Sequence, residues 1–258
     1  MNLMFLNNVH IIGYLAMLFL GLLVGKFCAW CSERLIAKKP IFSKEFVDEN
    51  KKGLRKNYIY MISVAVIYVL ILYRFGIQDT AAKNLELIKY LVVTPMLVLA
   101  FYIDFEHRII PNRLTLTLFE TGLIFTFLFG ISNINFVKDM LLGMLVGGGI
   151  FVGLTLLGGL LAGKEAMGLG DVKLMGALGL LVGVQNILNI TLLAFLLASI
   201  YSIAVLIYRS IKKNTDEYIA FGPFLTLAAI LCIFLPKGIV VTVFFGICRN
   251  ISNLLLKS

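Results

Sequence analysis

Acidic residues are scarce in this chain, and two of them stand where a long apolar segment ends or begins. The 258 residues include only 14 aspartates and glutamates, while 60% of the residues are hydrophobic. Asp104 ends one apolar segment, and Asp171 opens another directly after Gly168-Leu169-Gly170. Since an ionisable side chain at membrane depth is energetically costly, both aspartates are candidate functional residues.

Two carboxyl groups a few ångströms apart would support hydrolysis of a peptide bond. Such a pair shares one proton, because both members cannot ionise readily. The ionised carboxylate draws a proton from a water that attacks the peptide carbonyl, and the protonated carboxyl hydrogen-bonds to the carbonyl oxygen. A carboxyl then delivers a proton to the leaving amine. This chemistry needs no metal and no nucleophilic side chain, so Asp104 and Asp171 form a candidate catalytic pair.

Each aspartate alone also has an ordinary structural interpretation. An aspartate at a helix start is commonly an N-cap, and Asp104 could belong to a solvated loop. Gly168 and Gly170 favour the catalytic interpretation, because glycines allow a close approach of a substrate strand, although a plain turn would also use them. Asp171 lies at a predicted helix N-terminus and Asp104 at a C-terminus, so the helix dipoles predict that the shared proton rests mainly with Asp104.

The elements that must position this pair are membrane-spanning helices. A composition with only 14% charged residues is typical of a membrane protein rather than a soluble domain. The hydropathy pattern predicts an all-α, polytopic membrane helix bundle of about eight transmembrane helices, the sixth and eighth of them short, near residues 9–27, 58–76, 87–103, 114–130, 139–162, 172–188, 189–208 and 220–236. The apolar stretch 239–247 is too short to span and is expected at the membrane interface or capping the bundle.

The distribution of basic residues predicts the orientation. Lysines and arginines are concentrated in the loops that would be cytoplasmic if the N-terminus lies outside, above all in 32–57. The net charge of +9 is therefore interpreted as a topology signal and an attraction to anionic membrane lipid, and no nucleic-acid partner is expected.

The order of the spans predicts that the two aspartates share one membrane face. Two complete predicted spans, 114–130 and 139–162, separate Asp104 from Asp171. An even number of crossings returns the chain to the same side, so both carboxylates are expected at the cytoplasmic edge of the bilayer. Glycine pairs at the GxxxG spacing in the fifth span, Gly143 with Gly147 and Gly149 with Gly153, are expected to pack within the bundle.

Two regions are distinguished along the chain. Residues 1–57 comprise the first span with a short basic loop, and residues 58–258 form a multi-span domain. Cys28 and Cys31 have the CxxC spacing but lack a second pair to complete a tetrahedral site, so no metal site, and in particular no zinc, is expected.

Four stretches resemble the type IV prepilin peptidase family of membrane aspartic proteases. The stretch 168–174, GLGDVKL, is similar to the family's GxGD motif. Asp104 with 110–115 resembles its first aspartate region. The segments 21–35 and 220–225 resemble its first-span signature and its Phe-Gly-Pro motif. The four occur in the family's order and cover most of the chain.

The resemblance implies an aspartic endopeptidase in the cell (inner, cytoplasmic) membrane. It implies cleavage of the basic leader from prepilins or pseudopilins at the cytoplasmic face, after a glycine that precedes the apolar pilin helix. Asp104 and Asp171 carry over as the catalytic pair, with Gly168, Gly170 and Lys173 as the surrounding motif. No cofactor is expected for proteolysis.

The chain departs from many relatives in its first cytoplasmic region. Those relatives carry two zinc-binding CxxC pairs there and methylate the new N-terminus with S-adenosylmethionine. The corresponding stretch here is only about 32–57, and it contains no cysteine; Cys28 and Cys31 lie at the end of the first span and are no substitute. N-methylation with S-adenosylmethionine therefore rests on the family resemblance alone.

Two glutamates are candidate substrate contacts. Glu106 follows the first aspartate and could meet a basic leader, and Glu120 lies inside the fourth predicted span, where it could instead be paired within the bundle. An alternative function is a small ion-coupled transporter that uses Asp104, Glu120 and Asp171 as a relay. A non-enzymatic subunit of a secretion machine would need neither aspartate.

Overall fold

The computed structural model describes residues 5–6, 9–40, 54–78, 80–162, 167–212 and 220–255. Two short antiparallel strands, β1 (Phe5–Leu6) and β2 (Val9–His10), precede the first helix. The described part contains nine helices: α1 (Ile11–Ile36), α2 (Leu54–Phe75), α3 (Ala81–His107), α4 (Asn112–Ser132), α5 (Ile134–Ala162), α6 (Leu169–Val182), α7 (Val184–Lys212), α8 (Gly222–Phe234) and α9 (Ile239–Leu255).

The chain is a multi-pass, all-α membrane protein, as predicted. Among the described residues, six helices (α1 to α5 and α7) are long and apolar enough to cross a bilayer. The pair α8 and α9, bent by 101°, makes up to seven if it is counted as one span. The predicted number of eight is therefore approximate. The division at residue 57 falls in the first turn of α2 and stays a prediction, as does the outside position of the N-terminus.

The sixth predicted span is shorter than expected because a glycine interrupts it. Helix α6 has 14 residues and ends at Gly183, whose φ of 79° is unfavourable for other residues. Opposite charges stabilise the two helix ends at this break. Lys89 Nζ donates to the carbonyl of Leu181 at 3.2 Å, and the N–H of Val184 donates to Asp139 Oδ1 at 3.3 Å. A cation near a helix C-terminus and an anion near an N-terminus both complement the helix dipoles.

Helices α5 and α6 touch through glycine backbones. A Cβ atom on Gly143 would collide with the carbonyl of Gly179, and one on Gly147 would lie 2.7 Å from the carbonyl of Met175. The first GxxxG pair therefore packs inside the bundle, as predicted. The second does not: in the described part of the chain, nothing lies within 4 Å of a Cβ built on Gly149 or Gly153.

Helix α3 runs through the middle of the bundle. Helices α1 and α2 pack closely, because Gly21 lies against Ala65 and Gly25 against Met61. This pair holds α3 through polar contacts near the end that carries Asp104. The hydroxyls of Ser63 and Tyr102 are 2.8 Å apart. The thiols of Cys28, Cys31 and Cys232 are unpaired and buried, so they pack as small apolar groups.

Candidate active site

Asp104 lies in the last turn of α3 and is only 5% exposed. Its carbonyl accepts the N–H of Arg108 at 2.8 Å, and Arg108 has a left-handed φ of 56°. This conformation ends the helix and turns the chain towards Ile110. The turn places the Asp104 carboxyl at the end of the bundle rather than along a lipid-facing side of α3.

The N-terminus of α8 meets the Asp104 carboxyl. The backbone N–H of Gly222, the first residue of α8, donates a hydrogen bond to it. Pro223 follows in the first turn, where its missing N–H removes no helical hydrogen bond. A Cβ on residue 222 would overlap the Asp104 carboxylate and lie 3.0 Å from Ile110 Cδ1. Glycine is therefore required here by a close approach.

Asp171 lies in the first turn of α6. Gly168 is the N-cap, with extended backbone angles, and its carbonyl accepts the N–H of Asp171 at 3.0 Å. A Cβ on Gly168 would be 3.8 Å from Asp171 Oδ2, which is an ordinary contact. A Cβ on Gly170 would be 3.3 Å from Ile110 Cβ, so Gly170 is the tighter of the two positions.

The fold brings the two aspartates to the same end of the bundle. The charge of Asp104 acts directly on Asp171. Ile110 joins the two sites, because it contacts both Gly170, which precedes Asp171, and Gly222, which holds Asp104. Two helices, α4 and α5, separate the aspartates, so the chain returns to the same end of the bundle, as the sequence predicts.

The electrostatics of the pair depend on contacts as well as on helix direction. Asp104 does end its own helix, but the N-terminus of α8 supplies a hydrogen bond and a favourable dipole to its ionised form. Burial, and secondly the charge of Asp104, raise the pKa of the Asp171 carboxyl. The Gly222 hydrogen bond and the charge of Asp104 favour a proton on Asp171, whereas the direction of α3 favours one on Asp104, so the location of the shared proton stays a prediction.

The remaining predicted site residues, Lys173, Glu106 and Glu120, are all exposed. Lys173 is exposed and donates to Asn112 Oδ1 at 3.0 Å, so it is directed to α4. Glu106 is exposed beside His107, with Oε2 to Nε2 at 3.7 Å. Glu120 is exposed on α4, away from both aspartates. The roles of these residues stay predictions.

The described residues contain no group of three or more His, Cys, Asp or Glu side chains that could hold a metal ion. Gly147, Gly148 and Gly149 lie inside α5, where their backbone N–H groups belong to the helix. They therefore do not form the loop that would cradle S-adenosylmethionine.

Gly222 is the residue that chemical reasoning from the sequence missed. Gly222 acts through its backbone N–H, and residue type does not predict which backbone N–H will contact a carboxyl. The available signal was the stretch Phe221-Gly222-Pro223, where a glycine directly precedes a proline at the start of an apolar helix.

Comparisons with known proteins agree with this geometry. Residues 91–203, which include both aspartates, match the model of the type IV leader peptidase family. The chain is 35% identical over 138 residues to the prepilin leader peptidase/N-methyltransferase of Aeromonas salmonicida, covering 54% of this chain and 46% of the relative. It is 34% identical over 145 residues to the type 4 prepilin-like proteins leader peptide-processing enzyme of Escherichia coli O78:H11, covering 56% and 51%.

A longer alignment extends the similarity to most of the chain. The prepilin leader peptidase/N-methyltransferase of Neisseria gonorrhoeae is 27% identical over 222 residues, which is 86% of this chain and 64% of the relative. The chain spans about half the length of the first relatives that it matches. No solved structure is significantly similar to it. The segment that carries both aspartates belongs to the type IV leader peptidase family.

Proposed function

We propose that the chain is a membrane aspartic endopeptidase with Asp104 and Asp171 as its catalytic pair. The observation that carries this proposal is that two aspartates 67 positions apart in the sequence meet at one end of a membrane bundle and interact electrostatically. Each carboxyl also lies at a helix N-terminus, that of α8 for Asp104 and that of α6 for Asp171.

The arrangement supports a single-proton mechanism. Ionised Asp104 accepts a proton from water while the water oxygen bonds to the peptide carbonyl carbon. Protonated Asp171 donates its hydrogen to the carbonyl oxygen, on which negative charge develops. When the resulting gem-diol breaks its C–N bond, Asp104 gives its proton to the leaving amine nitrogen, and one hydroxyl of the gem-diol returns a proton to Asp171 as the product carboxyl forms. The pair then again holds one proton.

We infer that the substrates are prepilin-like or pseudopilin proteins, cut at their leader on the cytoplasmic face of the inner (cytoplasmic) membrane. The relatives' names support this substrate class. Glu106, exposed two residues after Asp104, is suited to contact a basic leader, and Glu120 is a weaker candidate because it lies on an exposed face of α4.

The direct test uses the purified protein in lipid nanodiscs with a prepilin substrate. Asp104→Asn and Asp171→Asn are expected to lower cleavage by about 10²–10⁴-fold, because each removes one partner of the acid–base pair. Glu33→Gln is the matched control. It neutralises an exposed carboxylate near the C-terminal end of α1, which lies beside the end of α3 that carries Asp104, and it is expected to leave cleavage unchanged. Normal cleavage by either aspartate variant, correctly inserted, would rule out the pair.

N-methylation of the new N-terminus is a second candidate activity, supported by the printed names of relatives. S-adenosylmethionine would be the methyl donor. Mass spectrometry of the cleaved product, with and without S-adenosylmethionine, tests this activity. A product that never gains a methyl group would limit the function to proteolysis.

The transporter interpretation is not favoured. A relay would place acidic groups at successive depths, whereas Asp104 and Asp171 lie at one end and Glu120 is exposed on α4. A non-enzymatic subunit is disfavoured by the same pair, because such a subunit would not need two interacting carboxyls.

A further inference from the structure

A large groove lies between α4, α5 and α6, and neither Asp104 nor Asp171 lines it. It encloses about 800 Å³, and most of its lining is apolar, including Phe119 of α4 and Leu145 of α5. Gly148, Gly149 and Gly176 also line it. Because these positions carry no side chain, the groove reaches the helix backbones.

Glycines have opposite roles at the two ends of the α5–α6 contact. At Gly143 and Gly179 the two backbones touch, and neither position has room for a side chain. Further along, nothing in the described part of the chain lies within 4 Å of a Cβ built on Gly149 or Gly176. A Cβ on Gly148 would only meet the Cα of Gly176, at 3.7 Å. The bundle therefore leaves these glycines open.

One end of the groove is polar and lies close to the aspartates. Lys173 and Asn112, joined by a 3.0 Å hydrogen bond, line this end. Lys173 is two residues beyond Asp171, and Asn112 is two residues beyond Ile110, which contacts Gly170 and Gly222. The polar end of the groove and the aspartate pair thus share one edge of the bundle.

The groove and the aspartates lie on different faces of α6. Asp171 and Lys173 point about 200° apart, since successive helix residues are separated by about 100°. A chain that leaves the groove must therefore cross the N-terminal turn of α6 to reach the carboxyls. Gly168 and Leu169 are exposed on this path. A helix is about 10 Å wide, so three or four extended residues of about 3.3 Å each would cover the distance.

We propose that this groove binds the apolar α-helix of the substrate, with a short extended segment passing over Gly168 to the aspartates. The proposal rests on the proposed peptidase function and names where its substrate docks. Open glycines let a second helix approach closely within a bilayer, as they do for α5 and α6 themselves.

The polar end of the groove suits a peptide segment that leaves a helix at this point. Where a substrate helix gives way to an extended segment, its peptide carbonyls lose their helical donors and need new ones. The ammonium of Lys173 and the amide of Asn112 are donors at that point. The phosphate of a lipid headgroup would accept from the same donors, so a lipid is the competing occupant that the crosslinking test below distinguishes from a peptide.

The test compares two substrates in nanodiscs: a full-length prepilin, and a short peptide that carries the cleavage site but lacks the apolar helix. Gly149→Leu and Gly176→Leu fill the groove. Each is expected to lower kcat/KM for the full-length substrate roughly tenfold or more, mainly by raising KM. For the short peptide, kcat/KM is expected to stay within about twofold of the wild-type value. Gly159→Leu is the matched control, because a Cβ on this α5 residue also meets no described atom within 4 Å, and it should leave both substrates unaffected.

The possible results separate failure of the groove proposal from failure of the peptidase proposal. If the filled variants cleave the full-length substrate normally, or lose both substrates equally, the groove is not the docking site. Asp171→Asn is included because it must abolish cleavage of both substrates. If it does not, the peptidase proposal itself fails, independently of the groove.

Photo-crosslinking gives a second measurement that does not depend on filling the groove. A benzophenone amino acid replaces Leu145, which lines the groove and is 63% exposed, or Leu157, which is 56% exposed on α5 outside it. The probe at 145 is expected to crosslink to the full-length prepilin, and the probe at 157 much less. Equal crosslinking at both positions, or lipid adducts alone at 145, would overturn the proposal.

Discussion

At the residue scale, the candidate chemistry depends on how one proton is held between two carboxyls. Asp104 is hydrogen-bonded by the N–H of Gly222 at the start of α8, and Asp171 lies in the first turn of α6. Two helix N-termini therefore converge on one carboxyl pair, and both favour negative charge. This compensates for placing acidic groups at the edge of an apolar bundle, and it makes Gly222 a positioning residue for Asp104.

Replacing Gly222 by alanine is expected to impair cleavage strongly. The new Cβ would overlap the Asp104 carboxylate and displace it from the α8 N-terminus. Loss of one correctly placed donor typically lowers kcat about 10²-fold or more. The measurement is kcat for prepilin cleavage, with Gly246→Ala as the control, because a Cβ there meets no described atom. Equal activity in both variants would contradict a role for Gly222.

The pH dependence of cleavage follows from the raised pKa of Asp171. A carboxyl whose pKa is raised keeps its proton to higher pH, so the pair stays singly protonated above the usual carboxyl range of about 4. Activity is lost when pH rises through the raised pKa, because both carboxyls are then ionised. A kcat/KM profile should therefore show an alkaline limb that begins well above pH 4, and an activity that is constant up to pH 9 would contradict the shared proton.

At the element scale, α6 is a short rod fixed at both ends. Asp171 lies in its first turn, and near its last residue the carbonyl of Leu181 accepts a hydrogen bond from Lys89, which is 4% exposed. Between the two ends, Gly179 rests directly on the backbone of Gly143 in α5. The position of Asp171 relative to Asp104 therefore depends on how closely α5 and α6 pack.

Gly179→Ala is expected to destabilise the protein by about 1–3 kcal/mol, the usual cost of overpacking, because its Cβ would collide with Gly143. Cleavage should fall as well, since α6 must shift and carries Asp171 with it. Thermal unfolding in detergent measures the first effect and kcat the second. Gly153→Ala, which has open space on α5, serves as the control and should change neither. A normal melting temperature in Gly179→Ala would mean that α5 and α6 pack more loosely than described.

At the scale of the whole molecule, the two ends of the bundle differ in character. The aspartate pair marks one end, and the break at Gly183, with Lys89 and Asp139, marks the other. Helix α8 connects them, since it begins at Asp104 and its later residues, Ala229 and Ile233, lie beside Lys89. The excess of basic residues in the loops at the aspartate end predicts that this end faces the cytoplasm.

The orientation can be tested with single introduced cysteines. His107→Cys lies at the aspartate end and Lys237→Cys at the opposite end, and both positions are exposed. The described native thiols, Cys28, Cys31 and Cys232, are buried and should react slowly. In intact cells, a membrane-impermeant maleimide is expected to label position 237 and not position 107. The reverse pattern would place the N-terminus inside and overturn the predicted topology.

Much of this protein could be predicted from its sequence, because the properties involved are local. Hydropathy and charge are read over windows of about 20 residues, and they identified the all-α membrane class and the long spans. Counting the spans between Asp104 and Asp171 was enough to predict that both lie at one end. The GLGDVKL stretch and its companions indicated the family, which the comparisons confirmed.

Tertiary structure alone decided the features that depend on contacts between distant segments. The start of α8 lies at Asp104, so the N–H of Gly222 opposes the effect of the α3 C-terminus on this carboxyl. This contact follows from packing and cannot be predicted from any local window of sequence. The end of α6 at Gly183 was missed, because apolar residues continue on both sides of it. Likewise the two GxxxG pairs look equivalent in sequence, yet among the described residues only Gly143 and Gly147 of these four meet a partner helix. The tendency to form a helix depends on neighbouring residues, so it can be predicted from the sequence. The candidate site is formed by segments that are distant in sequence and come into contact only when the bundle packs.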